Sequence, residues 1–173
     1  MNISVLALCV VMLFGLGFYV QAQPAGFVEI GKRVPDFVLK NDANEDWQLS
    51  KNLGRPLLIY FYPSDGTPGC TAQACSLNGY EQFRRSGLKI VGVSYNSIKS
   101  HQKFKKQYGL RFDLLSDPDA RVAKMFKASR WWPNLMPLRK TFIIDSRGFL
   151  RHIIDDIDVA KHAEQILPLI ADL

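Results

Sequence analysis

The sequence predicts an α/β domain: a mixed central sheet flanked by helices, with an N-terminal hairpin. Three observations carry that prediction. Short runs that are apolar throughout, LLIYFY at 57–62, KIVGVSY at 89–95 and TFIID at 141–145, read as strands covered on both faces. Segments with helical spacing and clear stop signals lie between them. The chain then closes with a hairpin and a helix, which places antiparallel strands beside parallel ones.

Each element has its own signal. Residues 36–41 and 46–49 give strand signals on either side of a polar turn and predict the opening hairpin. The run at 57–62 is the first central strand. A helix follows over 71–85 and stops at Gly87. After the strand at 89–95, a second helix spans 99–108 and ends before Gly109. Asp117 and Pro118 predict the start of a third helix, with a capping carboxylate and a proline at the first helical position; Val122, Ala123 and Phe126 share one of its faces. The strands at 141–145 and 149–155 are joined by a Ser-Arg-Gly turn. A last helix covers 158–173, with Pro168 predicting a kink or an early end.

Composition excludes several classes. The 173 residues are 47% apolar and 22% charged, which suits a globular domain and rules out dominant disorder or coiled coil. Three cysteines are too few for a disulfide-stapled mini-protein. The net charge is +6, but basic residues are scattered among acidic ones, so no nucleic-acid stripe is expected. Lys99, His101, Lys103, Lys105 and Lys106 read as a solvated helix face.

Residues 1–22 contain no acidic or basic side chain, and 3–20 form an almost unbroken apolar run. Val20 and Ala22 offer small residues where a signal peptidase reads. Two readings follow: an export signal cut after Ala22, or an uncleaved membrane anchor through residues 3–20. Either makes 1–22 a leader and 23–173 the domain, facing an exported compartment such as a bacterial periplasm. Cys9 lies inside the run and reads as an apolar filler.

The sharpest stretch is FYPSDGTPGCTAQAC, residues 61–75. A buried strand runs into a Pro/Gly-rich loop, and Cys70 sits where that loop enters a helix. Free backbone N–H groups and the positive end of the helix dipole favour a thiolate there, and the thiolate is the nucleophile. Cys75 lies five residues on. In a regular helix that spacing separates the Cα atoms by roughly 8–9 Å, whereas a disulfide needs less than about 7 Å. The pair therefore stays as two thiols unless the helix start unwinds, an arrangement that suits a redox cycle with a conformational step.

Pro63-x-x-x-Thr67-x-x-Cys70 resembles the active-site motif of the peroxiredoxins, and the longer stretch, with its C-x4-C spacing, resembles their Q-type (bacterioferritin-comigratory) subfamily. The segment from Arg139 to Asp145 is similar to that family's later R-x-[TS]-F-x-I-D motif. The resemblance spans about residues 28–173. It implies a thioredoxin-like fold and a thiol peroxidase that needs no metal, haem or flavin. It implies that Cys70 is the peroxidatic nucleophile and Cys75 the resolving cysteine, joined as an intramolecular disulfide that a thioredoxin-like dithiol donor reduces. Thr67 would hydrogen-bond the thiolate and a peroxide oxygen, Pro63 would shield the pocket, and Arg139 would hold the thiolate and polarise the O–O bond. Gln73 matches a position that orients this arginine. The intramolecular pair favours a monomer.

Trp131, Trp132, Leu135 and Met136 form an apolar segment just before Arg139, read either as core or as a rim for alkyl hydroperoxides. Two other functions compete. A thioredoxin-like thiol-disulfide oxidoreductase normally carries C-x-x-C, and a copper carrier would need C-x-x-x-C with a placed histidine. Neither spacing is present.

Overall fold

The computed structural model describes residues 26–130, 136–171 and 173. The leader at 1–22, Cys9, and Trp131, Trp132 and Leu135 of the apolar segment lie outside the described residues. Seven strands form one sheet in the order β2-β1-β5-β4-β3-β6-β7. They are β1 (Val38–Asn41), β2 (Asp46–Gln48), β3 (Leu57–Phe61), β4 (Lys89–Ser94), β5 (Asp113–Ser116), β6 (Lys140–Ile144) and β7 (Leu150–Ile154). The helices are α1 (Pro68–Asn78), α2 (Glu81–Arg85), α3 (Ile98–Tyr108), α4 (Arg121–Met125) and α5 (His162–Ile166). β3, β4 and β5 run parallel, and β6 pairs antiparallel with both β3 and β7. The predicted mixed sheet and both hairpins are present.

β3 divides the core. Leu57, Ile59 and Phe61 face a layer made by the N-terminal segment, Trp47 and α4. Leu58, Tyr60 and Tyr62 face α1, α3 and α5. Both sides of β3 are thus buried, which is why its sequence lacks the alternation of a half-exposed strand. Tyr60 pairs across the sheet with Gly92, and Gly92 with Leu114. A Cβ on Gly92 would lie 2.8 Å from the Tyr60 ring and 2.9 Å from Leu114. The missing side chain is the space the Tyr60 ring occupies.

Four predicted boundaries differ from the structure. The helix over 71–85 is two helices, broken at Gly79 and Tyr80, and its first part starts earlier, at Pro68. β5 was not predicted; its two apolar residues, Leu114 and Leu115, are adjacent and flanked by Asp113 and Ser116, which gives neither alternation nor a sustained apolar run. α4 begins at Arg121 rather than Pro118, with Ala120 left-handed before it (φ 55°). Asp117 still caps it, its carboxylate accepting from the N–H groups of Val122 and Ala123 at 3.2 and 2.8 Å. The last helix is shorter than 158–173: α5 covers five residues and passes into a 3-10 turn at Leu167–Ile170 that includes Pro168.

α5 is locked by a buried histidine. His162 is fully buried; its Nε2 is 2.8 Å from the Thr141 hydroxyl on β6, and its Nδ1 is 3.1 Å from Gln165 Oε1. The amide oxygen only accepts, so Nδ1 carries the proton and Nε2 accepts from Thr141. Burial pushes the imidazole pKa below its ordinary 6.5, the nearby Arg139 charge adds to this, and the Gln165 bond opposes it.

Two outcomes follow. Gly92→Ala overpacks the sheet and lowers unfolding free energy by about 1–3 kcal/mol in denaturant titrations. His162 takes up its proton more readily unfolded than folded. Its neutral form therefore contributes stability that is complete above pH 6.5 and is lost as pH falls below that value. Melting curves between pH 7.5 and 5 should show a steeper loss in the wild type than in His162→Gln.

Candidate active site

The register of β3 and β6 builds the site. Phe61 at the end of β3 stands opposite Lys140 at the start of β6. Arg139 therefore lies beside the point where the chain leaves β3 for the loop at 62–67. That loop turns through Gly66 at positive φ (70°) and enters α1 at Pro68, a residue suited to the first helical position because it has no N–H to leave unpaired. Cys70 is the third residue of α1.

Cys70, Gln73, Ala74 and Leu77 form the buried face of α1, at the spacing of a helix stripe. Cys70 is 1% exposed, and its Sγ is 3.3 Å from Arg139 Nη2. Arg139 Nη1 donates to Oε1 of the fully buried Gln73. The guanidinium thus has one arm on the sulfur and one on an amide a single helical turn away. Even a Cβ on Gly69 would meet Arg139 Nη2 at 3.5 Å, so the cation lies directly over the first turn. The contact sets a charged hydrogen-bond donor directly beside the sulfur, where it faces negative charge carried by or developing next to that atom.

Cys75 is exposed, on the opposite side of α1 from Cys70, and both are free thiols. The helix between them is continuous from Pro68 to Asn78, so the separation anticipated from their spacing is present. Pro63 is half-buried in the loop. Thr67 is exposed and is the residue before α1. Its carbonyl accepts from Thr71 N–H at 2.8 Å, and its hydroxyl donates to the Ser64 carbonyl at 3.2 Å. The expected bond from this hydroxyl to Cys70 therefore differs from what is seen. With its one proton on Ser64, the hydroxyl has lone pairs left to offer and must rotate to donate elsewhere.

Sequence reasoning missed what holds the loop. Asp65 accepts from Tyr62, Ser100 and His101, and its own N–H donates to Asn96. His101 does not belong to a solvated face: its side chain is fully buried against Asp65. Lys99, Lys103 and Lys106 are exposed, while Lys105 is half-buried and pairs with Asp42 at 2.8 Å. The available signal was spacing, since His101, Phe104 and Tyr108 recur at one helical face. Among the described residues, no group of three or more His, Cys, Asp or Glu could hold a metal ion.

Comparison with known proteins agrees with this geometry. The model of the AhpC/TSA family matches residues 30–153. A chloroplastic peroxiredoxin Q of Oryza sativa subsp. japonica is 37% identical over 86% of this chain and 69% of its own length. Peroxidoxin BcpB of Mycobacterium tuberculosis superimposes with a TM-score of 0.77 at 28% identity, over 83% of this chain and 96% of that one. The bacterioferritin comigratory protein of Xanthomonas campestris, solved for its alkyl peroxide reduction activity, superimposes with a TM-score of 0.72 at 31% identity, over 78% of this chain and 89% of that one. With a helix-borne cysteine under an arginine, a thioredoxin-like sheet and these relatives, the chain belongs to the AhpC/TSA family, in its peroxiredoxin Q branch, and is a thiol-dependent peroxidase.

Proposed function

We propose that Cys70 is the peroxidatic nucleophile and Cys75 the resolving cysteine of this peroxidase. The observation that carries the reading is the 3.3 Å contact between Cys70 Sγ and Arg139, with Cys75 free and exposed on the same helix. The Cys70 thiolate attacks one peroxide oxygen. The O–O bond breaks, its electron pair leaves on the other oxygen, and protonation gives water or an alcohol. Cys70 becomes a sulfenic acid. Arg139 faces the developing charge, where a fixed donor lowers the barrier without reorganising. Thr67 contributes its hydroxyl after rotating off Ser64, and Pro63 excludes water from the loop side. The first turn of α1 then unwinds, the Cys75 thiol displaces the hydroxyl as water, and a Cys70–Cys75 disulfide forms. A thioredoxin-like dithiol protein reduces it by exchange.

Organic hydroperoxides join hydrogen peroxide as substrates in this reading; the activity named for the Xanthomonas relative supports that. The internal pairing needs no second subunit, which supports a monomer. The uncharged apolar run at 3–20 supports a leader over 1–22 that exports or anchors a domain at 23–173.

Stopped-flow mixing of the reduced protein with hydrogen peroxide tests the assignment. The wild type oxidises rapidly and ends with one internal disulfide by mass. Cys75→Ser oxidises as fast but stops at a sulfenic acid that dimedone traps, and Cys70→Ser reacts no faster than a free thiol. If the wild type itself is that slow, the assignment fails and thiol-disulfide exchange becomes the better reading. In the same assay Arg139→Ala lowers the second-order rate by about 100- to 1,000-fold, the usual loss for one oxyanion donor. Arg139→Lys recovers part of it, since it restores the charge but not the fork that also reaches Gln73.

A further inference from the structure

The loop that delivers Cys70 contains one acidic residue, and that residue is turned inward. The Asp65 side chain is 6% exposed although Gly66, Thr67 and Pro68 beside it are exposed. Its Oδ1 accepts from the Tyr62 hydroxyl at 2.7 Å; its Oδ2 accepts from the Ser100 hydroxyl at 2.7 Å and from His101 Nδ1 at 3.0 Å. Its backbone N–H donates to Asn96 Oδ1 at 3.0 Å. Asn96 is itself fixed, its N–H donating to Ser94 Oγ at 3.1 Å and its carbonyl accepting from Ser116 Oγ at 2.7 Å. Burial alone would raise the Asp65 carboxyl. The bond and charge of His101, with the bonds from Ser100 and Tyr62, more than offset this and hold it below the usual range. His101 Nε2 is buried with no partner among the described residues. The polar contacts of this buried imidazole are all at Nδ1, to the Asp65 carboxylate at 3.0 Å and, more distantly, to the Tyr62 hydroxyl at 3.4 Å.

Downstream of this clamp the helix start is weak. Gly69, a poor helix former, follows Pro68 in the first turn of α1, and Thr67 supplies no side-chain cap, because its hydroxyl bonds Ser64. The first turn is held by the Thr67 carbonyl, two residues from Asp65, accepting from Thr71. Only Gly66 separates the anchored Asp65 from Thr67, so the fixed carboxylate and the turn that carries Cys70 are neighbours along the chain.

We propose that Asp65 is a positioning residue of the peroxidase cycle: bound by Tyr62, Ser100 and His101, it holds the Cys70 loop in the wound state that attacks peroxide and restrains the unwinding that brings Cys70 to Cys75. This rests on the roles given above to the two cysteines. Its consequence is a kinetic split. Attack on peroxide needs the wound state, so loosening the clamp slows it. Condensation of the Cys70 sulfenic acid with the Cys75 thiol, which releases water, needs the unwound state, so loosening the clamp speeds it. A sulfenic acid that lingers in the wound state meets a second peroxide, which oxidises it to the sulfinic acid and leaves as water or alcohol. The clamp therefore also sets how readily the enzyme is inactivated.

The test is stopped-flow oxidation of the full chain by hydrogen peroxide, resolving the second-order attack from the first-order disulfide step, with Asp65→Asn and the milder Ser100→Ala. Asp65→Asn should slow attack about tenfold, the equivalent of one charged hydrogen bond. Disulfide formation should speed up, and less sulfinic acid should appear by mass spectrometry at high peroxide. Ser100→Ala, which removes one donor to the same carboxylate, should move both rates in the same opposite directions by a smaller factor. It decides the matter if Asp65→Asn does not fold. A merely structural role slows both steps together or neither. Either result in a folded variant overturns the proposal. Failure of the cysteine assignment looks different, since the wild type would then show no fast attack phase.

Discussion

The site depends on one antiparallel pairing. Because β6 runs beside β3 with Lys140 opposite Phe61, Arg139 arrives where the chain turns from β3 toward α1. Residues 69 positions apart are then joined by a 3.3 Å contact between cation and sulfur. A shift of one residue in that register would turn the side chains of β6 to the wrong face of the sheet. The register is over-determined by burial. Phe142 packs on Phe61 and Phe126 on one side, while Ile143 and Thr141 meet the helices on the other. Apolar packing of the sheet therefore places the polar pair, and the pair itself need contribute little to stability.

α1 meets two opposed demands. Its buried stripe of Cys70, Gln73, Ala74 and Leu77 sets the sulfur under Arg139, whereas Cys75 faces solvent. A disulfide between them requires that part of this stripe leave the core. The helix is built unevenly to suit that. Its later half is tied to α5, where Ala163 N–H donates to Ser76 Oγ at 3.2 Å. Its first turn opens on proline and glycine and lacks a side-chain cap. In the proposed cycle unwinding falls on the turn that holds Gly69 and lacks a side-chain cap, while the bond from Ala163 to Ser76 holds the later half.

Much of this was legible in the sequence, because the informative signals were local. The apolar runs at β3, β4 and β6 mark strands with two covered faces. The loop-to-helix position of Cys70 and the i, i+5 offset of Cys75 follow from spacing. The break at Gly79 and Tyr80 did have a local signal, since Asn78 and Gly79 make a common helix stop, and beyond it Phe83 turns into the core. What else stayed hidden depends on distant partners. Asp117 was identified as a cap but at the wrong distance, because the intervening turn runs through a left-handed alanine that no local preference favours. His101 lies among lysines and reads as surface until the carboxylate 36 residues earlier is brought to it.

The same dependence on distant partners separates a peroxidase from a disulfide exchanger built on this fold. A C-x-x-C pair places both sulfurs near one helix end, close enough to exchange without rearrangement. Five residues of helix place them on opposite faces, so internal oxidation is coupled to a change of backbone shape. In the proposed cycle that coupling separates two environments for the Cys70 sulfur: beneath a guanidinium and shielded from solvent for attack on peroxide, then drawn out toward the exposed Cys75 thiol once oxidised. A rigid site would favour the first at the expense of the second. The fold anchors the loop before Cys70 through the bonds of Asp65 and the helix after it through Ser76, and the proposed cycle places its change of shape in the turn between them.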